Sequence, residues 1–280
     1  MEMNNILNFY YTGGRKLMQV RRNRQIFIML LITAFFLPAC SGLVDRISQK
    51  PKDFKVAVEA RELLTLLENQ NRTLKTFKGT GRVTLRGDKK KKLTSRIVWI
   101  GAVPGKFRIV MRSFSGQPMI SFASDGQWFY RFSHADSKFY KQRAKNTTLK
   151  RFFSIPINSG DIVSILGGSI PLVQHNKAVV EQKGSEDKYV LILKKRWGNV
   201  LQKIYFNKNK SRVRKMEMFG LSGALLYRIE FCGVQTIKRY QVPACLIFSN
   251  EEGRGFQLDI DRYWADVEVS PSVFVLTPPE

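Results

Sequence analysis

Two periodicities divide the chain beyond Phe54. Between Phe54 and Asn71 the apolar residues Val56, Val58, Leu63, Leu64, Leu66 and Leu67 recur at helical spacing, with Glu59, Arg61 and Glu68 outside the stripe. That pattern predicts a helix with one apolar face, which needs a sheet to cover. From Phe77 the period falls to two. Phe77 to Arg86 alternates as a half-buried strand, and further extended stretches follow at Leu93 to Ile100, Lys106 to Arg112, Pro118 to Ala123, Gln127 to Phe132 and Lys138 to Lys141. Turn formers separate them, among them Val103-Pro104-Gly105, Ser115-Gly116, Ser124-Asp125-Gly126 and His134-Ala135-Asp136. Short strands at this regular spacing predict an antiparallel meander.

Residues 147–168 interrupt the meander. Thr147 to Phe153 reads as a helical turn, Ile155 to Asn158 as a helix start, and Asp161 to Leu166 as a short apolar helix ended by Gly167-Gly168. Strands resume at Ala178 to Gln182, Lys188 to Lys194, Val200 to Phe206, Val213 to Phe219, Ala224 to Cys232, Val242 to Phe248 and Gly255 to Trp264, and Val267 to Leu276 reads as a last extended piece. With no internal linker long enough to divide it, residues 54–277 are expected to form one mainly β domain of about eleven strands.

The N-terminal pattern is of another kind. Arg15, Lys16, Arg21, Arg22 and Arg24 precede an apolar run from Ile26 to Leu37, and Leu37-Pro38-Ala39-Cys40 follows. Positive, apolar and then small residues is the order of an export signal. The apolar run of about twelve residues is short of the roughly 20 that span a bilayer as a helix. Residues 1–39 are therefore expected to be a signal peptide, with Met18 the more ordinary start site. The cleavage site ends at a cysteine, so the segment resembles a bacterial lipoprotein precursor. That resemblance implies acyl groups on Cys40, with residues 40–53 as a lipidated tether. Each buried methylene would add about 0.8 kcal/mol of anchoring. Ser41, where an aspartate would favour inner-membrane retention in such precursors, inclines the expectation to the periplasmic face of the outer membrane, with inner-membrane retention left open.

Charge adds one feature. The chain has 47 basic and 22 acidic residues, and without residues 1–39 its formal net charge is still +21. Such a field either serves solubility or attracts anionic phospholipid or other polyanions, and export removes nucleic acid as a natural partner. Lys89, Lys90, Lys91 and Lys92 mark a solvated hairpin tip or a basic patch for lipid headgroups.

Candidate chemistry is sparse. His134 and His175 are far apart in sequence, no ligand spacing points to a metal, and neither a nucleophile elbow nor a phosphate-binding glycine loop occurs. No catalytic residue, cofactor or metal is expected. Cys232 and Cys245 allow two readings, a disulfide or two small buried hydrophobes.

The layout resembles the outer-membrane lipoprotein carrier and receptor superfamily of the LolA/LolB type. The residues that carry the resemblance are the strand Leu74-Lys75-Thr76-Phe77-Lys78-Gly79-Thr80-Gly81 after the first helix, the hairpin Asp125-Gly126-Gln127-Trp128-Phe129-Tyr130, and the Ile155 to Gly168 unit. Membership would imply a single curved antiparallel sheet forming an unclosed β-barrel, capped by short helices, whose apolar side accepts acyl chains of lipoprotein or phospholipid. Candidate lining residues are Val83, Leu85, Trp99, Phe107, Ile109, Met119, Ile120, Phe122, Trp128 and Tyr130, each with plain core packing as the other reading, and only one parity on each strand can face inward. Phe114, an aromatic on the turn Ser113-Phe114-Ser115-Gly116, is the candidate membrane or transfer contact, because the receptor branch uses an exposed apolar residue on an early loop. Expected partners are the membrane, through the N-terminal lipid, and a periplasmic carrier. The competing function is a structural or envelope-assembly lipoprotein that acts by protein contact.

Overall fold

A computed structural model describes residues 50–86, 93–144, 155–182 and 189–278, with side chains from residue 56 onward. Met1–Lys55 and Val56–Glu280 are separate units by their internal contacts, and the second holds the fold. Cys40, Lys89 to Lys92 and the helical turn read at Thr147 to Phe153 lie outside the described residues.

Helix α1 runs Lys50–Asn69, starting ahead of Phe54, and a meander of six strands follows: β1 (Thr76–Arg86), β2 (Thr94–Ala102), β3 (Lys106–Arg112), β4 (Pro118–Ser124), β5 (Trp128–Ser133) and β6 (Lys138–Arg143). Helix α2 (Ser159–Leu166) precedes a second run: β7 (Lys177–Gln182), β8 (Tyr189–Lys194), β9 (Val200–Phe206), β10 (Val213–Phe219), β11 (Leu225–Ile237), β12 (Tyr240–Ser249) and β13 (Gly255–Ala265). These thirteen strands, against about eleven expected, make one antiparallel sheet in the order β6-β5-β4-β3-β2-β1-β13-β12-β11-β10-β9-β8-β7. The pairing of β1 with β13 joins the two meanders. Among the described residues strands β6 and β7 remain as edges, so the sheet is an unclosed barrel.

One face of the sheet carries the main core. Phe77, Val83, Ile97, Trp99, Phe107, Ile109 and Phe122 point to it from β1–β4, and Leu191, Ile204, Met216, Ile229, Leu246 and Leu258 from the other half. Ala60, Leu63 and Leu67 of α1 and Ile162, Val163, Ile165 and Leu166 of α2 pack on it. This is the arrangement that the one-sided first helix demanded.

Small residues opposite large ones let this face close. Trp99 pairs directly with Gly79, and Phe77 with Gly101. A Cβ on Gly79 would stand 2.2 Å from the Trp99 indole, and one on Gly101 would stand 2.4 Å from the Phe77 ring. Glycine in these strand interiors leaves room for the neighbouring ring to lie flat across it.

Helix α2 is fixed at both ends. The Asn158 side chain accepts from the Asp161 N–H at 2.8 Å, filling the N-cap role. At the other end the Tyr263 hydroxyl donates to the Leu166 carbonyl at 3.0 Å.

The last segment differs from its predicted extended form. Pro271–Phe274 is a 3₁₀ turn, and no strand pairs with residues 267–278. Proline at the start of the turn removes an N–H that a ladder would need. The segment instead covers part of the outer face, where Leu276 packs with Ala123 and Tyr130, and Arg108 donates to the Val273 carbonyl at 3.4 Å.

Cys232 and Cys245 form a disulfide between β11 and β12, with Cα atoms 5.1 Å apart. The register of that strand pair, which sets Phe231 opposite Leu246 and Val234 opposite Pro243, puts Cys232 across from Cys245, with a local irregularity at Gly233.

Candidate functional site

The sheet is covered unevenly. Helix α2 lies against β2, β3 and β12, whereas the starts of β10 and β12 and the second half of β11 are left with an opening beside the end of α1. A cleft of about 600 Å³ lies there, with apolar walls from Leu66, Ile170, Val213, Phe231, Val234, Val242 and Pro243. Asn69, Gln70, Ser211, Arg212 and Gln241 give it a polar border. This size and lining suit a small apolar ligand with one polar end.

Hydrogen bonds hold the wall of the cleft in place. Just past α1, Gln70 Nε2 donates to the Gly168 carbonyl at 2.8 Å, and Asn71 Nδ2 donates to the Gly167 carbonyl at 2.9 Å and the Gln241 carbonyl at 2.6 Å. The Gln241 N–H returns a bond to Asn71 Oδ1 at 3.2 Å. One short segment thus ties the ends of both helices to the start of β12. On the other side Lys210, in the β9–β10 turn, pairs with Glu59 of α1.

None of the ten candidate lining residues borders this cleft. Val83, Trp99, Phe107, Ile109 and Phe122 are buried in the main core, and Leu85 and Ile120 pack against it. Met119 sits at the register shift of the β3–β4 ladder, and Trp128 and Tyr130 have the opposite parity and lie on the outer face. There Tyr130 joins Ala123 and Leu276, with Trp128 beside them, and Met119 is exposed.

The hairpin that carries Trp128 and Tyr130 has a structural explanation. Asp125 Oδ1 accepts from the N–H groups of Gln127 at 2.8 Å and Trp128 at 2.7 Å, and the Tyr130 hydroxyl donates to Asp125 Oδ2 at 2.8 Å. Burial works to raise the Asp125 pKa, but these donors outweigh it and hold the carboxyl below its usual range. Burial, and then the Asp125 carboxylate, push the Tyr130 hydroxyl up to about 12. Lys141 and Arg143 lie over the Trp128 ring, 4.5 Å and 4.1 Å from its centroid.

A second, shallower hollow of about 500 Å³ lies on the outer face of β1–β3, where Lys78, Arg108 and Arg112 surround Val98, Val110 and Trp264. The two histidines make separate local contacts, His134 with Ser121 Oγ at 2.9 Å and His175 with the Val173 carbonyl at 2.9 Å. Among the described residues no group of three or more His, Cys, Asp or Glu side chains could hold a metal. No helix among them is long and apolar enough to cross a membrane.

Phe114 is 97% exposed at the β3–β4 tip. The structure adds two equivalents that the pattern reading passed over: Trp197 at the β8–β9 tip, 91% exposed, and Leu221 at the β10–β11 tip, 72% exposed. The available signal was the four-residue turn with glycine in fourth place, present in Ser113-Phe114-Ser115-Gly116, Lys195-Arg196-Trp197-Gly198 and Gly220-Leu221-Ser222-Gly223. In each, the glycine has positive φ and its N–H donates to the carbonyl of the first turn residue. The cleft residues carried no such signal, since Val213, Phe231 and Val242 alternate like any core positions.

No protein-family model matches the chain, and no curated protein sequence matches it. Solved structures do match in fold. A DUF1329 family protein from Desulfovibrio piger aligns at 13% identity and a TM-score of 0.57, over 79% of this chain and 97% of its own. A LolA superfamily protein from Nitrosomonas europaea aligns at 15% identity and a TM-score of 0.55, over 78% of this chain and 97% of its own. A domain from Vibrio parahaemolyticus, provisionally assigned as an outer membrane lipoprotein-sorting protein, aligns at 14% identity and a TM-score of 0.54, over 79% and 96%. At these identities the likeness is one of fold alone.

Proposed function

We propose that this chain is a lipid-anchored, periplasm-facing protein that holds acyl chains of lipoprotein or phospholipid in its inner-face cleft and passes them on at the outer membrane. It does so without catalysis, cofactor or metal. The observation that carries this reading is the opening between α1 and β10–β12, about 600 Å³ with apolar walls and a polar border that includes Arg212. Apolar walls favour a hydrocarbon tail, and the border offers partners to its headgroup. Cys40 supplies the anchor, Lys89 to Lys92 meet anionic headgroups, and Phe114 is the transfer contact. The fold likeness to a domain assigned to lipoprotein sorting supports the same reading.

A second reading, an envelope-assembly lipoprotein acting by protein contact, draws on two observations. The face under β1–β5 is filled by its own side chains, and among the described residues β6 and β7 are edges open to another chain. Native mass spectrometry separates the two. A soluble variant in which a cleavable export signal without a lipidation cysteine replaces residues 1–40, gently purified after export, should carry co-purifying lipid or acyl peptide, and the same variant with Val213→Trp, which fills the cleft, should carry none. Apo protein in both preparations would reject the carrier reading.

A further inference from the structure

Four large apolar side chains among the described residues are more than half exposed: Phe114 at 97%, Trp197 at 91%, Leu221 at 72% and Leu93 at 58%. The strand order places all four at one end of the sheet. In the antiparallel ladder, β8 to β9, β10 to β11, β1 to β2 and β3 to β4 are connected at the same end. The cleft lies toward the other, where β10 and β12 begin.

Two of these tips are joined. Asn199 Nδ2, in the β8–β9 hairpin, donates to the Leu221 carbonyl in the β10–β11 hairpin at 3.0 Å. The bond holds the Trp197 and Leu221 turns side by side as one projecting unit. Lys194, Lys195 and Arg196 precede Trp197, and neither residues 194–199 nor 219–224 contain an acid. The neighbouring β12–β13 tip uses the same turn but carries Glu251 and Glu252, so apolar tips are not a requirement of the geometry. Nothing in the fold accounts for a tryptophan and a leucine at those turns, since neither contributes core area.

We infer that the paired Trp197 and Leu221 tips are a bilayer-docking element for anionic phospholipid. Tryptophan settles at the headgroup level, where its ring is buried and its N–H stays hydrated. Leucine adds apolar area, and the three adjacent cations meet anionic headgroups. The pairing of apolar tips with cations and no acid favours an anionic membrane over a protein partner. The element is separate from Phe114 and independent of what the cleft holds.

The test reads Trp197 locally, so the N-terminal anchor does not mask the result. The full chain is reconstituted on vesicles of phosphatidylglycerol and phosphatidylcholine, with brominated acyl chains as quenchers, and the Trp197 emission is taken as the difference between wild type and Trp197→Phe. Expected are a blue shift and bromine quenching of that component, weaker on pure phosphatidylcholine and lost in Leu221→Glu and in Lys195→Gln/Arg196→Gln, with unchanged circular dichroism. Trp197 emission on the vesicles that stays open to an aqueous quencher would overturn the inference. So would a Trp197 shielded from water yet untouched by brominated lipid, because protein would then cover it.

Discussion

The indole of Trp99 lies over Gly79 so closely that a Cβ there would stand 2.2 Å from it. Among the described residues Trp99 Nε1 is buried without a hydrogen-bond partner, so no polar contact with them fixes the ring. The room left by glycine does. Gly79→Ala should therefore destabilise the fold by about 1–3 kcal/mol, the range for overpacking. Trp99→Leu in the same chain should recover a large part of that loss. Urea titration of the two single variants and the double variant measures the coupling, and simply additive losses would show that the contact does not limit the packing.

Phe114 makes the opposite prediction. A side chain with nearly all its surface in water contributes little to the core, so Phe114→Glu should change stability by no more than about 0.5 kcal/mol. Acceptance or release of an acylated substrate by the anchored protein should fall clearly. A large drop in Tm without a selective loss of transfer would remove Phe114 from the transfer role.

Asp161 predicts a pH dependence. Burial raises its pKa, and hydrogen bonds from the Tyr227 hydroxyl at 3.3 Å and the Asn158 amide at 2.8 Å offset only part of that. A carboxyl whose pKa is higher folded than unfolded stabilises the fold fully below the ordinary aspartate value of about 4, and that contribution is lost as pH rises through the folded value. Asp161→Asn keeps an acceptor for Tyr227 and has no charge to bury. Its stability relative to wild type should rise between pH 4 and pH 7. A relative stability that falls over that interval, measured by denaturant titration at stepped pH, would contradict this account.

The Cys232–Cys245 disulfide closes a short loop, with a sequence separation of 13 residues. In the loop-entropy account a link of this length is worth about 3 kcal/mol. Cys232→Ser/Cys245→Ser should lower the denaturant midpoint accordingly and leave the strand content unchanged by circular dichroism. An unaltered midpoint would mean that the pairing of β11 with β12 already limits the unfolded chain as much as the bond does.

Local pattern was enough for the elements. The stripe of Leu63, Leu64 and Leu67, the alternation from Phe77 to Leu85 and the stop at Gly167-Gly168 depend on neighbours a few residues away, and they specified two helices and an antiparallel series of strands. Parity within a strand was less legible. Trp128, Phe129, Tyr130 and Phe132 place aromatic rings on both faces of β5, and Phe129 faces the core while the C-terminal segment covers part of the other side. Pairing of the cysteines needed the β11–β12 register that sets Phe231 opposite Leu246 and so Cys232 opposite Cys245, which no spacing announces. The site was decided at longest range. Gln70 reaches Gly168 and Asn71 reaches Gln241, across 98 and 170 residues of sequence, and these bonds set where the helices stop covering the sheet. Periodicity shows that a face is apolar, but whether a patch of that face becomes core or cleft depends on how far the covering elements extend, and only tertiary contacts fix that.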